Sequence, residues 1–245
     1  MNSKEWQYGL HAVQALLKTS PDRVLELRLQ RGRDDERIKK IVQMAERHGT
    51  PLVWVNRKEM DKVAEGRHQG VMALCTGGEV RDENYLMQLV DKLYHPPFLL
   101  VLDGVTDPHN LGAVLRSADA AGVDAVIAPK DRSVGITPTV SKVACGAAES
   151  MPFVVVTNLA RTLKELQEKG IWIVGTAGEA EQMVYDADLK GPLALVMGAE
   201  EKGMRRLTRE HCDMLVKLPM AGSVSSLNVS VATGVCLFEA VRQRR

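Results

Sequence analysis

Apolar and polar residues alternate along this chain in two rhythms. Up to residue 76 the rhythm is short: helical spacing around Leu10–Lys18 and near Asp35–His48, with brief apolar runs at Val24–Leu29, Leu52–Val55 and Gly70–Cys75. This pattern predicts a compact α/β module over residues 1–76. Next comes GGEVRDENYLMQLVDKLYHPP, residues 77–97, which opens on a glycine pair, closes on a proline pair and reads as a linker carrying a short helix. From Phe98 the runs FLLVLDGV, DAVIA, FVVV, IWIVGT, LALVMGA and MLVKLP are apolar on both faces and separated by helical stretches at Leu111–Ala121, Thr139–Ala147 and Leu159–Lys169. Strands of that kind form a parallel sheet covered on two sides, over residues 98–245. Ligands then belong at the carboxyl ends of its strands.

The last segment, GSVSSLNVSVATGVCLFEAV at 222–241, alternates at first like a strand. At helical spacing, however, Leu227, Val231, Val235, Phe238 and Val241 form a row to the end, which predicts a terminal helix. Its expected first turn holds Ser225, Ser226 and Asn228. A helix start needs one such cap, so the surplus points to a ligand there.

Composition narrows the class. The 245 residues hold 32 Lys and Arg against 31 Asp and Glu, a net charge of +1 that neither demands nor excludes a polyanion. Residues 1–76 carry 14 basic and 10 acidic side chains, with Arg28, Arg31, Arg33, Arg37, Lys39 and Lys40 close together. That run is either a phosphate-binding patch or a solvated face balanced by Asp34, Asp35 and Glu36. No run reaches the length of a membrane span and the start lacks a signal-peptide pattern, so a cytoplasmic location is expected. Cys75, Cys145, Cys212 and Cys236 are far apart, with no CxxC and no histidine at ligand spacing; reduced core thiols are expected, and no metal.

Three strand ends carry candidate chemistry. In LDGVTDPHNLGAVLRSADAAG, residues 102–122, Pro108 and Asn110 can start a helix. Long helical side chains lean toward the N-terminus, so Arg116 reaches back over free amides that favour an anion. The alternative for Arg116 is an ion pair with Asp103, Asp107 or Asp119. In LVMGAEEKGM, residues 195–204, Gly198 and Gly203 allow close backbone approach and Glu200 could hold Arg116. The serine-rich stretch after MLVKLP is the third. His109 reads as a surface or loop residue. Dinucleotide, P-loop and serine-hydrolase signatures are absent. The residues alone therefore describe an α/β domain with an anion seat and a polar helix start.

In order and spacing, DPHNLGAVLRSADAAG, LVMGAEEKGM and LPMAGSVSSLNVSVATGVCLFEA resemble the three motifs of the SpoU (TrmH) family, RNA ribose 2'-O-methyltransferases of the SPOUT superfamily. YGLHAVQALL at 8–17 and HQGV at 68–71 resemble that family's small L30e-like RNA-binding domain. The resemblance implies a C-terminal SPOUT domain with a deep trefoil knot, S-adenosylmethionine as methyl donor, and a homodimer. It implies Asn110, Arg116, Glu200, Ser226 and Asn228 as catalytic residues and Gly198, Leu218 and Leu227 as cofactor-binding. Glu201 and Lys202 fill variable places and receive no role. Guanidiniums stay protonated in proteins, so the chemistry open to Arg116 is gripping the phosphate beside the target ribose and polarising its 2'-hydroxyl.

The expected substrate is a guanosine ribose in the peptidyl-transferase region of 23S rRNA. A tRNA ribose methyltransferase, a non-catalytic RNA-binding ribosome-assembly protein of the same fold, and a metabolic enzyme on a small phosphorylated substrate are the alternatives.

Overall fold

A computed structural model describes residues 4–64, 67–76, 81–199 and 202–245. The chain forms two compact units, one of Met1–Glu79 with Ile136–Ser150, the other of Val80–Gly135 with Met151–Arg245.

The first unit is built on a mixed sheet of β1 (Lys4–Tyr8), β2 (Val24–Gln30), β3 (Leu52–Val55) and β4 (Val71–Thr76), ordered β1-β4-β2-β3. Helices α1 (Leu10–Thr19) and α2 (Glu36–Arg47) bury Val13, Leu16, Leu17, Ile38 and Ile41 against Leu27, Leu29 and Ala73. Three of its strands and both long helices lie where the periodicity predicts them. β1 and the short α3 (Arg57–Asp61) went unpredicted. Asp35 caps α2, accepting from Arg37 N and Ile38 N, and the hydrogen-bonded Arg33 holds its carboxyl below the ordinary range.

The two stretches that resemble an RNA-binding domain meet. Gln69, at φ 51°, accepts from Leu10 N at 3.1 Å through Oε1, Gly9 N donates to Val71 O at 3.2 Å, and buried His68 accepts from Gly70 N at 2.9 Å. Three of the six cations of the basic run are ion-paired. Arg28 pairs with Glu26 at 2.6 Å and lies 4.5 Å over Trp6, Arg33 pairs with Asp35, and Lys39 is 3.5 Å from Asp34.

The expected Thr139–Ala147 helix is divided. Helix α6 (Pro138–Val143) ends and α7 (Ala147–Ser150) begins across Cys145 at φ 54° and Gly146 at φ 100°, two left-handed residues that no helix continues through. A Cβ on Gly146 would lie 2.8 Å from that of Ala15, so α1 fits closely against this turn. Arg23 joins Glu149 at 3.2 Å and donates to Thr76 O, while burial pushes the Glu149 carboxyl up. Cys145 is accordingly exposed, not a core thiol. None of the four cysteines is in a disulfide, and burial pushes Cys75, Cys212 and Cys236 up to about 12, which keeps them protonated.

In the second unit β5 (Phe98–Asp103), β6 (Ala125–Pro129), β7 (Phe153–Val156), β8 (Trp172–Thr176), β9 (Gln182–Met183), β10 (Leu193–Gly198) and β11 (Met214–Lys217) form a parallel sheet, ordered β7-β6-β5-β10-β8-β11-β9 among the described residues. One face packs Leu99, Val101, Ile127, Val154 and Val196 against Leu86 of α4 (Glu83–Lys92) and Leu159, Leu163 and Leu166 of α8 (Leu159–Glu168). The helix expected in the linker is thus part of this core. Helices α5 (Pro108–Ala121) and α10 (Val229–Gln243) pack on each other, and α10 also packs on β10. Short α9 (Arg206–Glu210) precedes β11.

The terminal helix starts later than its pattern suggests. Asn228 is the N-cap, so Ser225 and Ser226 lie in the preceding loop rather than in a first turn. Its buried face is Val229, Thr233, Cys236, Leu237 and Ala240, whereas Val231 and Phe238 of the predicted row are exposed.

At its far end Glu239 accepts from Arg242 Nε and Nη2, both at 2.8 Å, and from Gln243 Nε2 at 2.7 Å, which lowers its pKa to about 2. A lowered carboxylate stabilises the fold fully above its unfolded value of about 4.3 and loses that contribution as pH falls toward its folded value. Chemical denaturation of Glu239→Gln should therefore show a deficit against the wild type at pH 7 that shrinks between pH 5 and pH 2. A deficit independent of pH would contradict this.

Candidate active site

Four strand ends of the second unit converge. β10 pairs with β5 so that Gly198 lies opposite Asp103, and Thr176 and Lys217 close β8 and β11 on the same side.

After β5, Gly104 takes φ 95° and Asp107 caps α5, its carboxylate accepting from His109 N at 3.1 Å and Asn110 N at 3.3 Å. Asn110 is therefore not the cap that its place near Pro108 suggests. Its side chain is instead turned to the other helix start, where Asn110 Oδ1 accepts from Asn228 Nδ2 at 3.0 Å. Asn228 Oδ1 in turn accepts from Ser230 N at 2.9 Å and Ser230 Oγ at 2.6 Å. Where α5 and α10 pack together, Gly234 faces Ser117, whose Oγ lies 3.9 Å from the position of a Cβ on the glycine. Two of the carboxylates that could have paired with Arg116 are otherwise engaged, Asp107 in this cap and Asp103 with Arg205.

After β10 the chain makes a tight turn. Ala199 N donates to Gly203 O at 3.1 Å and Gly203 N to Ala199 O at 2.9 Å, with Gly203 at φ 62°. A Cβ on Gly198 would sit 2.3 Å from the Gly203 carbonyl carbon and 2.4 Å from Met204 N, so only glycine fits without displacing backbone. The turn is anchored by Asp103, whose fully buried carboxylate accepts from Arg205 N at 2.8 Å and Arg205 Nε at 2.6 Å. That charge-assisted pair satisfies a carboxylate that would otherwise be costly to bury. Glu200, expected in this turn, lies outside the described residues, as does Glu201.

Two neighbouring cavities result. The larger, about 720 Å³, is lined by Gly198, Leu218, Ser226 and Leu227 together with Thr176, Gly178, Met183 and Met197. The second, about 660 Å³, is lined by Asp103, Gly104, Asn110, Arg132, Lys202 and Arg205. They share Ala199, Lys202, Gly203 and Val229. The structure thus gathers Gly198, Leu218, Leu227 and Ser226 in one cavity and puts Asn110 in the next, tied to Asn228. Arg116 is an exposed residue of α5 and lines neither cavity. The Thr176–Gly178 corner, the Asp103–Arg205 pair and the cations of the second cavity were missed. Gly178 just after IWIVGT carried the same strand-end glycine signal as Gly198. Among the described residues no cluster could hold a metal ion, and no helix is long and apolar enough to cross a membrane.

The first cavity offers a ligand both apolar side chains and close backbone. Methionine and leucine side chains offer apolar cover, and the crowded turn at Gly198 brings backbone right up to the ligand space.

A parallel α/β sheet with its cavity among glycine-rich strand-end turns defines a class, and the comparison with known proteins names it. The SpoU rRNA methylase family matches residues 97–238, and the RNA 2'-O ribose methyltransferase substrate-binding family matches residues 7–80. The chain belongs to the SpoU rRNA methylase family. It is 62% identical over 245 residues, covering 100% of this chain and 99% of the relative, to the 23S rRNA (guanosine-2'-O-)-methyltransferase RlmB of Pseudomonas putida. To the protein of that name from Escherichia coli K12 it is 60% identical over 241 residues, 98% and 99% of the two chains. Among solved structures, the SpoU methyltransferase AviRb from Streptomyces viridochromogenes, in complex with the cofactor AdoMet, superposes with a TM-score of 0.83 at 24% identity, covering 98% of this chain and 90% of that one. At that identity the likeness speaks for the fold.

Proposed function

We infer that this protein is an S-adenosylmethionine-dependent methyltransferase acting on the ribose 2'-hydroxyl of a guanosine in 23S rRNA. The observation that carries this reading is the cavity where Gly198, Leu218 and Leu227 meet, in a chain 62% identical along its whole length to a protein named for that activity. The same identity favours rRNA over tRNA as substrate.

Bound S-adenosylmethionine supplies an electrophilic sulfonium methyl, so the accepting oxygen needs only modest activation. Leu218, Leu227, Met183 and Met197 keep water from the donor site, and backbone around Gly198 and Leu218 holds the donor in place. Asn228 fixes Asn110 at the start of α5, beside the space for the target ribose. Arg116 grips phosphate and polarises the hydroxyl, with Glu200 orienting it and Ser226 shaping the ribose end. Positioning and charge stabilisation then carry the rate.

The target guanosine belongs to the peptidyl-transferase region, and the enzyme is cytoplasmic. The first 76 residues carry an L30e-like RNA-recognition domain, in one compact unit with Ile136–Ser150, and the catalytic domain takes in Val80–Gly135 with Met151–Arg245. The insertion of β10 between β5 and β8 supports a deep trefoil knot there. Val224, Leu227, Val231 and Phe238, 62%, 37%, 52% and 48% exposed, support a homodimer through the start and outer face of α10. Such a dimer also gives Arg116, outside its own chain's cavities, a second site to serve.

Mass-spectrometric mapping of ribose methyls in rRNA and tRNA, from cells with and without the gene, tests the reading. One guanosine 2'-O-methyl missing from 23S rRNA is expected. Unchanged 23S rRNA, or a mark missing from tRNA instead, would overturn it.

A further inference from the structure

Beyond the space for the target ribose, the second cavity is lined by three cations, Arg132, Lys202 and Arg205, against two carboxylates, Asp103 and Asp107, of which Asp107 is turned to cap α5. Arg132 and Lys202 line it with exposed side chains, and neither has an ion-pair or hydrogen-bond partner among the described residues. Arg205, the third cation, is already committed to Asp103. Two uncommitted cations at a concave site leave a field that a polyanion would satisfy.

Arg132 is also held in place at a conformational cost. It follows the carboxyl end of β6, where ligands of parallel sheets gather, and takes φ 59°, a left-handed conformation that a long side chain rarely adopts. The surrounding loop is fastened to the one leading into α5. Val134 N donates to Val105 O at 3.0 Å, and a Cβ on Gly104 would lie 4.0 Å from the Arg132 carbonyl oxygen and 3.5 Å from the Ala199 Cβ. Gly104 thus lies between the Arg132 turn and Ala199, in contact range of both, at the end of β5. Backbone strain over-determined by its surroundings concentrates where a side chain must be aimed.

We propose that Arg132 and Lys202 together hold an RNA phosphodiester flanking the target nucleotide, other than the one gripped by Arg116, at the rim of the second cavity. This makes Arg132 a substrate-positioning residue independent of the donor pocket. The proposal rests on the RNA methyltransferase reading and extends it with a contact that the sequence motifs do not mark. Arg132 is the cleaner probe, because Lys202 lines both cavities while Arg132 lines only the second.

The test uses the full chain. Arg132→Ala and Arg132→Asn, the latter suited to a left-handed backbone, should raise KM for 23S rRNA roughly tenfold or more, as loss of a charged hydrogen bond does. S-adenosylmethionine affinity by calorimetry should stay unchanged. The slope of log affinity against log salt, measured by filter binding on a single-stranded RNA oligonucleotide, should fall by roughly 0.7 for one lost phosphate contact. Arg132→Lys should recover part of both effects, and Lys202→Ala should reproduce the slope change. Unchanged KM and slope in both the Ala and Asn variants would overturn the proposal. So would weakened donor binding in Arg132→Asn, which would assign the turn to the donor. Should the wild type fail to methylate rRNA, the functional reading falls, while the oligonucleotide salt slope still decides whether Arg132 grips phosphate.

Discussion

Gly198→Ala is expected to abolish measurable S-adenosylmethionine uptake, weakening it at least a hundredfold by calorimetry. The added Cβ would stand 2.3 Å from a backbone carbon and 2.4 Å from a backbone nitrogen of the following turn. No side chain can rotate away to relieve that contact. The backbone of Gly203 and Met204 must move, and Gly203 lines both cavities. Overpacking of this kind costs about 1–3 kcal/mol, so the variant should still fold, with Tm lowered by a few degrees. Gly191→Ala makes a fair control, since nothing lies within 4 Å of its Cβ position. Donor binding that survives in Gly198→Ala would place the donor elsewhere.

Arg116→Ala should lower methyl transfer to 23S rRNA by about 10²–10³-fold, the usual cost of removing one charge-stabilising donor from a reacting centre. S-adenosylmethionine binding should be retained, because Arg116 lines neither cavity of its own chain. Arg116→Lys keeps the charge and loses the planar fork, so transfer should recover only in part. Labelled-methyl transfer undiminished in Arg116→Ala would refute the role given to this residue, and a wild-type signal that is weak and survives the substitution would revive the reading of a non-catalytic RNA-binding protein of the same fold. A mixture of Arg116→Ala with a Gly198→Ala variant separates the monomeric and dimeric versions of the site. If one chain's Arg116 serves its partner's donor cavity, mixed dimers regain activity that neither variant has.

Much of this architecture was legible because it is written in local patterns. Buried parallel strands must be apolar on both faces, so β5, β6, β7, β8, β10 and β11 stood out as short runs, and the glycines after β10 and before α10 marked where backbone turns closely. α2 was legible through its helical spacing, whereas the cap that Asp35 forms and its pairing with Arg33 were not read from it. Short, half-polar β1 and the two-residue β9 offered no run long enough to read. Positions in α10 misled for a related reason. A helix apolar on most of its surface has no single stripe, so the row through Leu227, Val231 and Phe238 marked the exposed side while Val229, Cys236 and Leu237 went inward.

What the chain by itself determined was therefore the alternation of elements, the strand-end motifs and, through them, the family. Tertiary structure alone decided which of those ends meet. Asn110 and Asn228 are 118 positions apart and Asp103 and Arg205 are 102 apart, so no periodicity could pair them. Only the parallel register of β5 with β10, and the close crossing of α5 and α10, carries these side chains together. The same distance explains why the segment around Gly146 packs onto α1 instead of staying with its neighbours in sequence. Local patterns report each element's own hydrogen bonds and buried face, whereas contacts between distant elements depend on the three-dimensional packing that all of them reach together.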